Sequence, residues 1–424
     1  MRWLLQVRQG SALVALALAG CSGVFQHSRP APIEYSHTAP AAAGLRIGSA
    51  ERDITPAVGG YMGGFDLGRT SASVSSPLKV RALVLETPTR RFAILGVDNL
   101  GVMRDDVDWL KAGLPGFANG DVFVCSSHTH AGPDLIGLWG KWFMTSGRDR
   151  EYLAALGKAM TAAVAAARAN AAPARLVHGM VRMPPGGLVR NSNRPFVFDR
   201  RVHVLMAHAI DDGRSLGTLL HLACHPEVMP RRNRAISADF VGALCDEWRA
   251  RGHGQAVFVN GALGAMITPD VKPRDEVGVR HFGLQACDLC ERALATAAPL
   301  AVDAIEVRRR DVYLPMASLG FRLGRLTTVL QRELYDGDAR STVGWLRIGA
   351  FEAVALPGEM EPALAERLRA QLQRPELVLF GLCDDEVGYL LRQQEVDDPE
   401  YAYERSMSAC ATAGELVSAA ITGR

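Results

Sequence analysis

The run Ser126-Ser127-His128-Thr129-His130-Ala131-Gly132-Pro133 follows without a break on the apolar stretch Asp121-Val122-Phe123-Val124-Cys125. Side chains along an extended segment alternate with a period of two, so His128 and His130 point to the same side. Neutral imidazole is the commonest protein ligand for zinc. A strand that ends in His-x-His is therefore half of a metal site. The other half must come from elsewhere in the chain, together with a substrate pocket.

The rest of the chain alternates strand-like and helix-like runs, which predicts an α/β fold: a mixed multi-stranded sheet core flanked by helices, in one large domain. Strands are expected at Lys79–Glu86, Arg91–Val97, Asp121–Cys125, Arg175–Arg182, Val202–Ala209, Leu216–Cys224, Gln255–Asn260, Ala304–Leu314, Thr342–Ile348, Phe351–Leu356 and Glu376–Leu382. Helices are expected at Asp105–Ala112, Arg148–Asn170, Ala238–Arg251, Glu276–Ala297, Leu319–Leu334 and Met360–Gln373. Several strands are apolar throughout, as when helices cover both sheet faces. Sites in open α/β sheets collect at strand carboxyl ends. His128 and His130, His225, Glu359, and the group Asp384, Asp385, Glu386 and Tyr389 each follow directly on an expected strand. The predicted metal site therefore lies at those ends.

The first residues read as an address label. Arg2 and Arg8 precede the apolar stretch Ser11–Ala19, which is too short to span a membrane as a mature helix. The stretch closes on Leu18-Ala19-Gly20-Cys21, which resembles the lipobox of bacterial lipoproteins. That resemblance implies a signal peptide over residues 1–20, a lipid on Cys21, and an anchor in the bacterial cell envelope on the periplasmic side of the outer membrane. Residues 21–44, rich in Ser, Pro and Ala, are expected to form a flexible tether, and residues 45–424 the globule. Removing Arg2 and Arg8 from the 47 basic side chains leaves 45 against 45 acidic ones, so no nucleic-acid footprint is expected. The pair Cys287 and Cys290 sits inside a helical pattern without a second pair, which reads as packing rather than redox or zinc chemistry.

Taken in order, several short runs make the globule resemble the neutral and alkaline ceramidase family. They are Arg52-Asp53-Ile54-Thr55-Pro56 with Gly59-Gly60-Tyr61-Met62-Gly63-Gly64, Leu78-Lys79-Val80-Arg81-Ala82-Leu83, the His-x-His run, Ala223-Cys224-His225-Pro226, Ile236-Ser237-Ala238-Asp239-Phe240, Asn260-Gly261-Ala262-Leu263-Gly264, Leu356-Pro357-Gly358-Glu359 and Asp385-Glu386-Val387-Gly388-Tyr389. The resemblance implies a zinc-dependent amidohydrolase of EC 3.5.1 type that cleaves an N-acyl lipid or ceramide-like amide with a metal-activated water. It implies His128, His225, Glu359 and Tyr389 as zinc ligands, with Asp385 as the alternative to Tyr389. It implies general acid/base or orienting work for His130. Zinc so bound keeps room for a water or a substrate oxygen.

Two departures from the family pattern stand out. The family carries a Gly-Asp-x-Ser-Pro-Asn run with a proposed serine nucleophile; here the stretch is Gly264-Ala265-Met266-Ile267-Thr268-Pro269-Asp270. Thr268 stands where the serine would be, as a substrate contact or nucleophile. The family also carries a second, immunoglobulin-like domain, for which the residues past Tyr389 leave no room. The stretch Leu135–Met144, with Trp139, Trp142, Phe143 and Met144, favours a lipid-like substrate. The rival readings are a hydrolase of a non-lipid amide or ester, and a lipoprotein that binds a small molecule or metal without catalysis.

Overall fold

The computed structural model describes residues 27–42, 44–327 and 329–423. The expected signal peptide and Cys21 lie outside the described residues. Two sheets pack face to face. The larger has nine strands, in the path Ala256–Asn260, Ser215–Leu222, Arg201–Ala209, Ala172–Arg182, Arg46–Asp53, Lys79–Glu86, Arg91–Val97 and Val122–Ser126, with Ala298–Leu300 beside Ala172–Arg182. The smaller has six, in the path Glu34–Pro40, Ala304–Pro315, Asp338–Ile348, Phe351–Ala355 and Val378–Phe380, with Leu334–Tyr335 beside Asp338–Ile348.

Side chains from both sheets form the central core, where Ile47, Leu83, Phe92 and Phe123 meet Val307, Leu346, Phe351 and Phe380. Helices cover the outer faces. Arg150–Ala169 packs its buried Leu156, Met160 and Val164 on one end of the nine-stranded sheet. Asp239–Ala250 and Glu276–Ala295 cover the other end through Phe240, Leu244 and Phe282. Pro362–Leu372 and Ala413–Thr422 cover the six-stranded sheet. Strands buried on both faces must be apolar throughout, which explains the burial of every residue in Val122–Ser126 and Ala256–Asn260. This is the mixed α/β core flanked by helices that the alternation predicts. Among the described residues no helix is long and apolar enough to cross a membrane.

Within the two large sheets, three pairs of neighbouring strands run parallel: Arg91–Val97 with Val122–Ser126, Ser215–Leu222 with Ala256–Asn260, and Phe351–Ala355 with Val378–Phe380. His128 follows the first pair, His225 the second, and Glu359 and Tyr389 the third. Glu359–Met360 and Tyr389–Leu390 then pair in parallel, Glu359 opposite Tyr389.

The structure corrects the expected tether over Glu34–Pro40, which is a strand on the edge of the six-stranded sheet. Its residues are mostly exposed, so the apolar alternation that marks a strand is missing; Tyr35 anchors it by donating its hydroxyl to Asp121 (2.7 Å). The helix expected over Leu319–Leu334 ends at Leu326. Thr327, Thr328 and Val329 are β-branched and poor helix formers, and Arg332 beyond them is pulled into a buried ion pair with Asp385. His203 stacks on His178 and stands directly opposite His221 in the ladder.

His203 and His221 are completely buried. His221 donates its Nε2–H to the carbonyl of Leu379 (2.9 Å), which leaves Nδ1 bare and without a partner. Burial pushes the His221 pKa from 6.5 down to about 4, against the smaller pull of the Asp199 charge. Between those two pH values the unfolded chain binds the extra proton and the folded chain does not. Stability is therefore full above pH 6.5 and is lost progressively as pH falls towards 4. By pH 5, His221 alone costs about 2 kcal/mol. Denaturant midpoints at pH 7.5 and pH 5 measure this loss. His221→Gln, which keeps a donor for Leu379, is expected to shrink it by that amount.

Candidate metal centre

The first strand pair ends in Ser126-Ser127-His128, and His128 itself takes a left-handed backbone (φ 74°). Such a conformation is strained for a residue with a Cβ. The amides of His128 and Thr129 both donate to the carbonyl of Asn99, at 2.8 and 3.1 Å, and hold the bend. The bend turns the His128 ring so that Nδ1 meets the carbonyl of Leu100 at 2.6 Å. A carbonyl only accepts, so Nδ1 carries the hydrogen and Nε2 presents a lone pair.

His225 repeats the arrangement. Past Leu222 the ladder gives way to a side chain: Asn260 Oδ1 accepts from the amide of Cys224 (3.1 Å), and Asn260 Nδ2 donates to the carbonyl of Cys224 (2.8 Å). The carbonyl of Ile267 then accepts both the amide (2.9 Å) and the Nδ1–H (2.9 Å) of His225. The bare Nε2 atoms of the two histidines face one carboxylate. Glu359 Oε2 lies 3.0 Å from His225 Nε2, and Glu359 Oε1 lies 3.6 Å from His128 Nε2.

His130 completes the cluster. Its ring centroid lies 5.0 Å from that of His128 and 5.7 Å from that of His225. One nitrogen from each of the three buried histidines lies within 4.8 Å of the others. Among the described residues neither His130 nitrogen has a well-formed hydrogen-bond partner, and the Gly64 backbone favours its charged form only slightly. Gly64 (φ 94°) makes the space, since a Cβ there would sit 2.7 Å from the His130 ring. Phe65 packs edge-on against the ring at 4.7 Å, and the Arg69 guanidinium clamps the carbonyls of His130 and Gly63 at 2.5 and 2.6 Å.

The electrostatics are those of a site built for a cation. Burial lowers the His128 pKa to about 4, outweighing the attraction of Glu359. Burial drives His130 well below its ordinary value, helped by charge on His128 and His225. Burial also opposes charge on His225, but Glu359, which accepts from Nε2 once that atom takes up a proton, prevails and leaves the pKa raised. Burial pushes Glu359 up, and the two histidines overcome that and bring it below the usual carboxylate range. Bare imidazole lone pairs facing a carboxylate repel each other unless a positive charge sits between them. Nitrogen and oxygen donors of this kind fit a divalent ion such as zinc.

Tyr389 stands beside Glu359 in the short parallel ladder, and its hydroxyl also reaches the sulfur of Met266 at 3.5 Å. Burial, and then the charge of Glu359, push its pKa well above the ordinary value. Asp385, the alternative to Tyr389, spends its carboxylate elsewhere. It accepts from Arg332 in a two-pronged pair, from Ser341 Oγ (2.6 Å), and from the amides of Arg104 (2.9 Å) and Glu386 (2.8 Å). Thr268 is buried, and its hydroxyl accepts from Arg190 Nε at 3.3 Å. It is not among the residues that line the cavity over the histidines. Its neighbours matter more directly: Ile267 supplies the carbonyl behind His225, and Met266 touches Tyr389. Asp98 serves Arg81 and the amide of Lys79 rather than a histidine.

A cavity opens over His128, His130, Glu359 and Tyr389. Leu100, Met103, Ile136, Leu138, Trp139 and Leu330 make most of it apolar. Trp139 belongs to this wall, whereas Trp142, Phe143 and Met144 are exposed. Glu386 is a wall residue that the sequence marks only as one acid in a run of three. One of its oxygens accepts from the amide of Gly388 (2.9 Å) and the other is buried without a partner. Burial, with the charge of Glu359 adding to it, raises its pKa well above the usual range.

No protein-family model and no curated protein matches the sequence. Solved structures do match. Neutral ceramidase from Pseudomonas aeruginosa superposes with a TM-score of 0.70 at 19% identity, covering 90% of this chain and 74% of that one. The chain shares the fold of a ceramidase. A ceramidase complexed with C2 gives a TM-score of 0.70 at 18% identity, over 90% of this chain and 75% of its own. In this chain's own geometry His128, His130, His225, Glu359 and Tyr389 lie around one point.

Asp385→Ala leaves the fully buried Arg332 without its counter-charge. It is expected to cost about 3–5 kcal/mol of stability, read from denaturant unfolding. Metal content per folded molecule is expected to stay at the wild-type value, because Asp385 does not face the histidines.

Proposed function

We infer that this protein is a zinc-dependent hydrolase that cleaves the amide bond of an N-acyl lipid of the ceramide type. One observation carries the inference: Glu359 lies between the bare Nε2 atoms of His128 and His225, at the polar end of an otherwise apolar cavity. That the two solved structures named above are ceramidases supports the choice of bond.

His128, His225, Glu359 and Tyr389 would hold the metal. Bound there, a zinc ion supplies Lewis acidity to a water and to the amide carbonyl. His130 stays neutral because burial disfavours its charged form, so a ring nitrogen can take a proton beside the reacting carbon and return it to the leaving amine. Leu138, Trp139 and Leu330 receive the acyl or sphingoid chain and exclude water, which strengthens the polar contacts at the reacting end. The reading includes the anchor: a lipid on Cys21 would keep the globule on the periplasmic side of the outer membrane, next to a lipid substrate. The chemistry then belongs to water and His130, with no nucleophile required from Thr268.

The test pairs metal analysis with turnover of N-acyl amides of graded chain length. Wild-type protein is expected to hold zinc in a stoichiometric amount and to lose activity to a chelator. His225→Ala is expected to lose the metal. His130→Ala is expected to keep the metal and lose about 10²–10⁴-fold in turnover. Zinc-loaded wild-type protein that cleaves no N-acyl amide or ester would sink the reading, and unchanged metal in His225→Ala would sink the ligand set.

A further inference from the structure

Two cysteines oppose each other just beneath the metal centre. Cys125 lies in the strand Val122–Ser126, three residues before His128, and Cys383 lies in the segment that leads to Tyr389. Both are completely buried. The amide of Ser126 donates to the carbonyl of Leu382 (3.0 Å), and the amide of Asp384 donates to the carbonyl of Val124 (2.8 Å). These two bonds bracket an antiparallel bridge between Cys125 and Cys383. The bridge is thus a non-hydrogen-bonded pair, the arrangement that brings opposed Cα atoms to about 4.5 Å. Disulfides span Cα separations of ~4.4–6.8 Å. Directly opposed side chains leave the same face of a ladder, and the two thiol sulfurs lie 3.2 Å apart.

We propose that Cys125 and Cys383 join as a disulfide that fastens the nine-stranded sheet to the six-stranded sheet under the metal centre. The bond closes a separation of 258 residues in the chain. Each thiol gives up its proton, one Sγ–Sγ bond forms, and the electron pair passes to the disulfide of a thiol oxidant, which leaves as two thiols. Both sulfurs are sealed in the folded molecule, so the exchange belongs to folding, while they are still open to solvent. Once closed, the same burial keeps reductants out. The cross-link would tie the segment carrying His128 and His130 to the segment carrying Tyr389, independently of which substrate the site takes. The unfolded chain loses more freedom the longer the closed loop, so a link across most of the globule is a strong constraint on unfolding.

Full-length protein refolded in an oxidised and reduced glutathione mixture tests this. It is denatured without reductant, alkylated and digested. The peptides containing Cys125 and Cys383 are expected as one linked species that separates on reduction. Recovery of both as separately alkylated peptides overturns the proposal. Oxidised wild-type protein is expected to melt several degrees above protein refolded under full reduction. The Cys125→Ser/Cys383→Ser double variant is expected to show no such difference. Equal midpoints for oxidised and reduced wild type would overturn the fastening role even where the link forms.

Discussion

Two backbone carbonyls govern the site. Leu100 and Ile267 each accept an Nδ1–H, and in doing so they fix the tautomer as well as the angle of His128 and His225. The consequence is electrostatic. With Nδ1 committed, each ring has only a lone pair to offer, and both lone pairs face Glu359, all three side chains being buried. Nothing in the protein neutralises that arrangement except a proton shared by the three groups or a cation between them. The demand for positive charge is thus written into the peptide backbone, at a distance from the atoms that would bind it.

Holding that geometry requires strained backbone, and the strain is concentrated around the site. His128, Ala265, Met266, Leu382 and Asp384 all have positive φ values between 52° and 74° without being glycine. Such conformations persist only where the surroundings over-determine them. Here the surroundings are buried ion pairs. Asp384 is held by Lys111 Nζ at 2.7 Å, by the Arg309 guanidinium and by the amide of Val124. Asp385 is held by Arg332. These acids sit immediately before Glu386 and Tyr389, so the segment entering the site is pinned on its outer side and free to present side chains on its inner side. Buried ion pairs add little net stability on average, but removing one partner is costly. That asymmetry suits a scaffold whose task is to hold one arrangement.

What could be read from the sequence follows from how local each signal is. Lys79–Glu86 and Arg91–Val97 are found where the apolar runs place them, because burial on both faces leaves a continuous hydrophobic signature. Other strand ends carry the polar residues that gather, among them His128, His130, His225, Glu359 and the Asp384–Tyr389 group; the family resemblance, not the pattern, singled out His128, His225, Glu359 and Tyr389. The less legible features depend on register. Arg46–Asp53 pairs along its whole length with Lys79–Glu86 but reads as Arg-Ile-Gly-Ser-Ala-Glu-Arg-Asp, too polar to announce a strand. His203 gains its partners only because it falls opposite His221 and one strand away from His178. Asp385 looked like a possible ligand by position; its neighbour across the fold, Arg332, decides otherwise, and that neighbour lies where a helix was expected to continue.

His130 draws these constraints together. It shares a face with His128, yet its contact with the Gly64 backbone is weak, and among the described residues no carboxylate lies within hydrogen-bonding reach. Burial disfavours the charged form of both rings, so in the resting site His130 is neutral with a lone pair free to take a proton. A ligand needs one fixed lone pair; a proton carrier needs to accept at one moment and donate at the next. The absence of an anchor is therefore a functional difference between two histidines two residues apart. Gly64 preserves it by leaving the His130 ring room that any larger residue would take, while Phe65 and Arg69 hold the ring and its backbone in place without touching its nitrogens by a hydrogen bond.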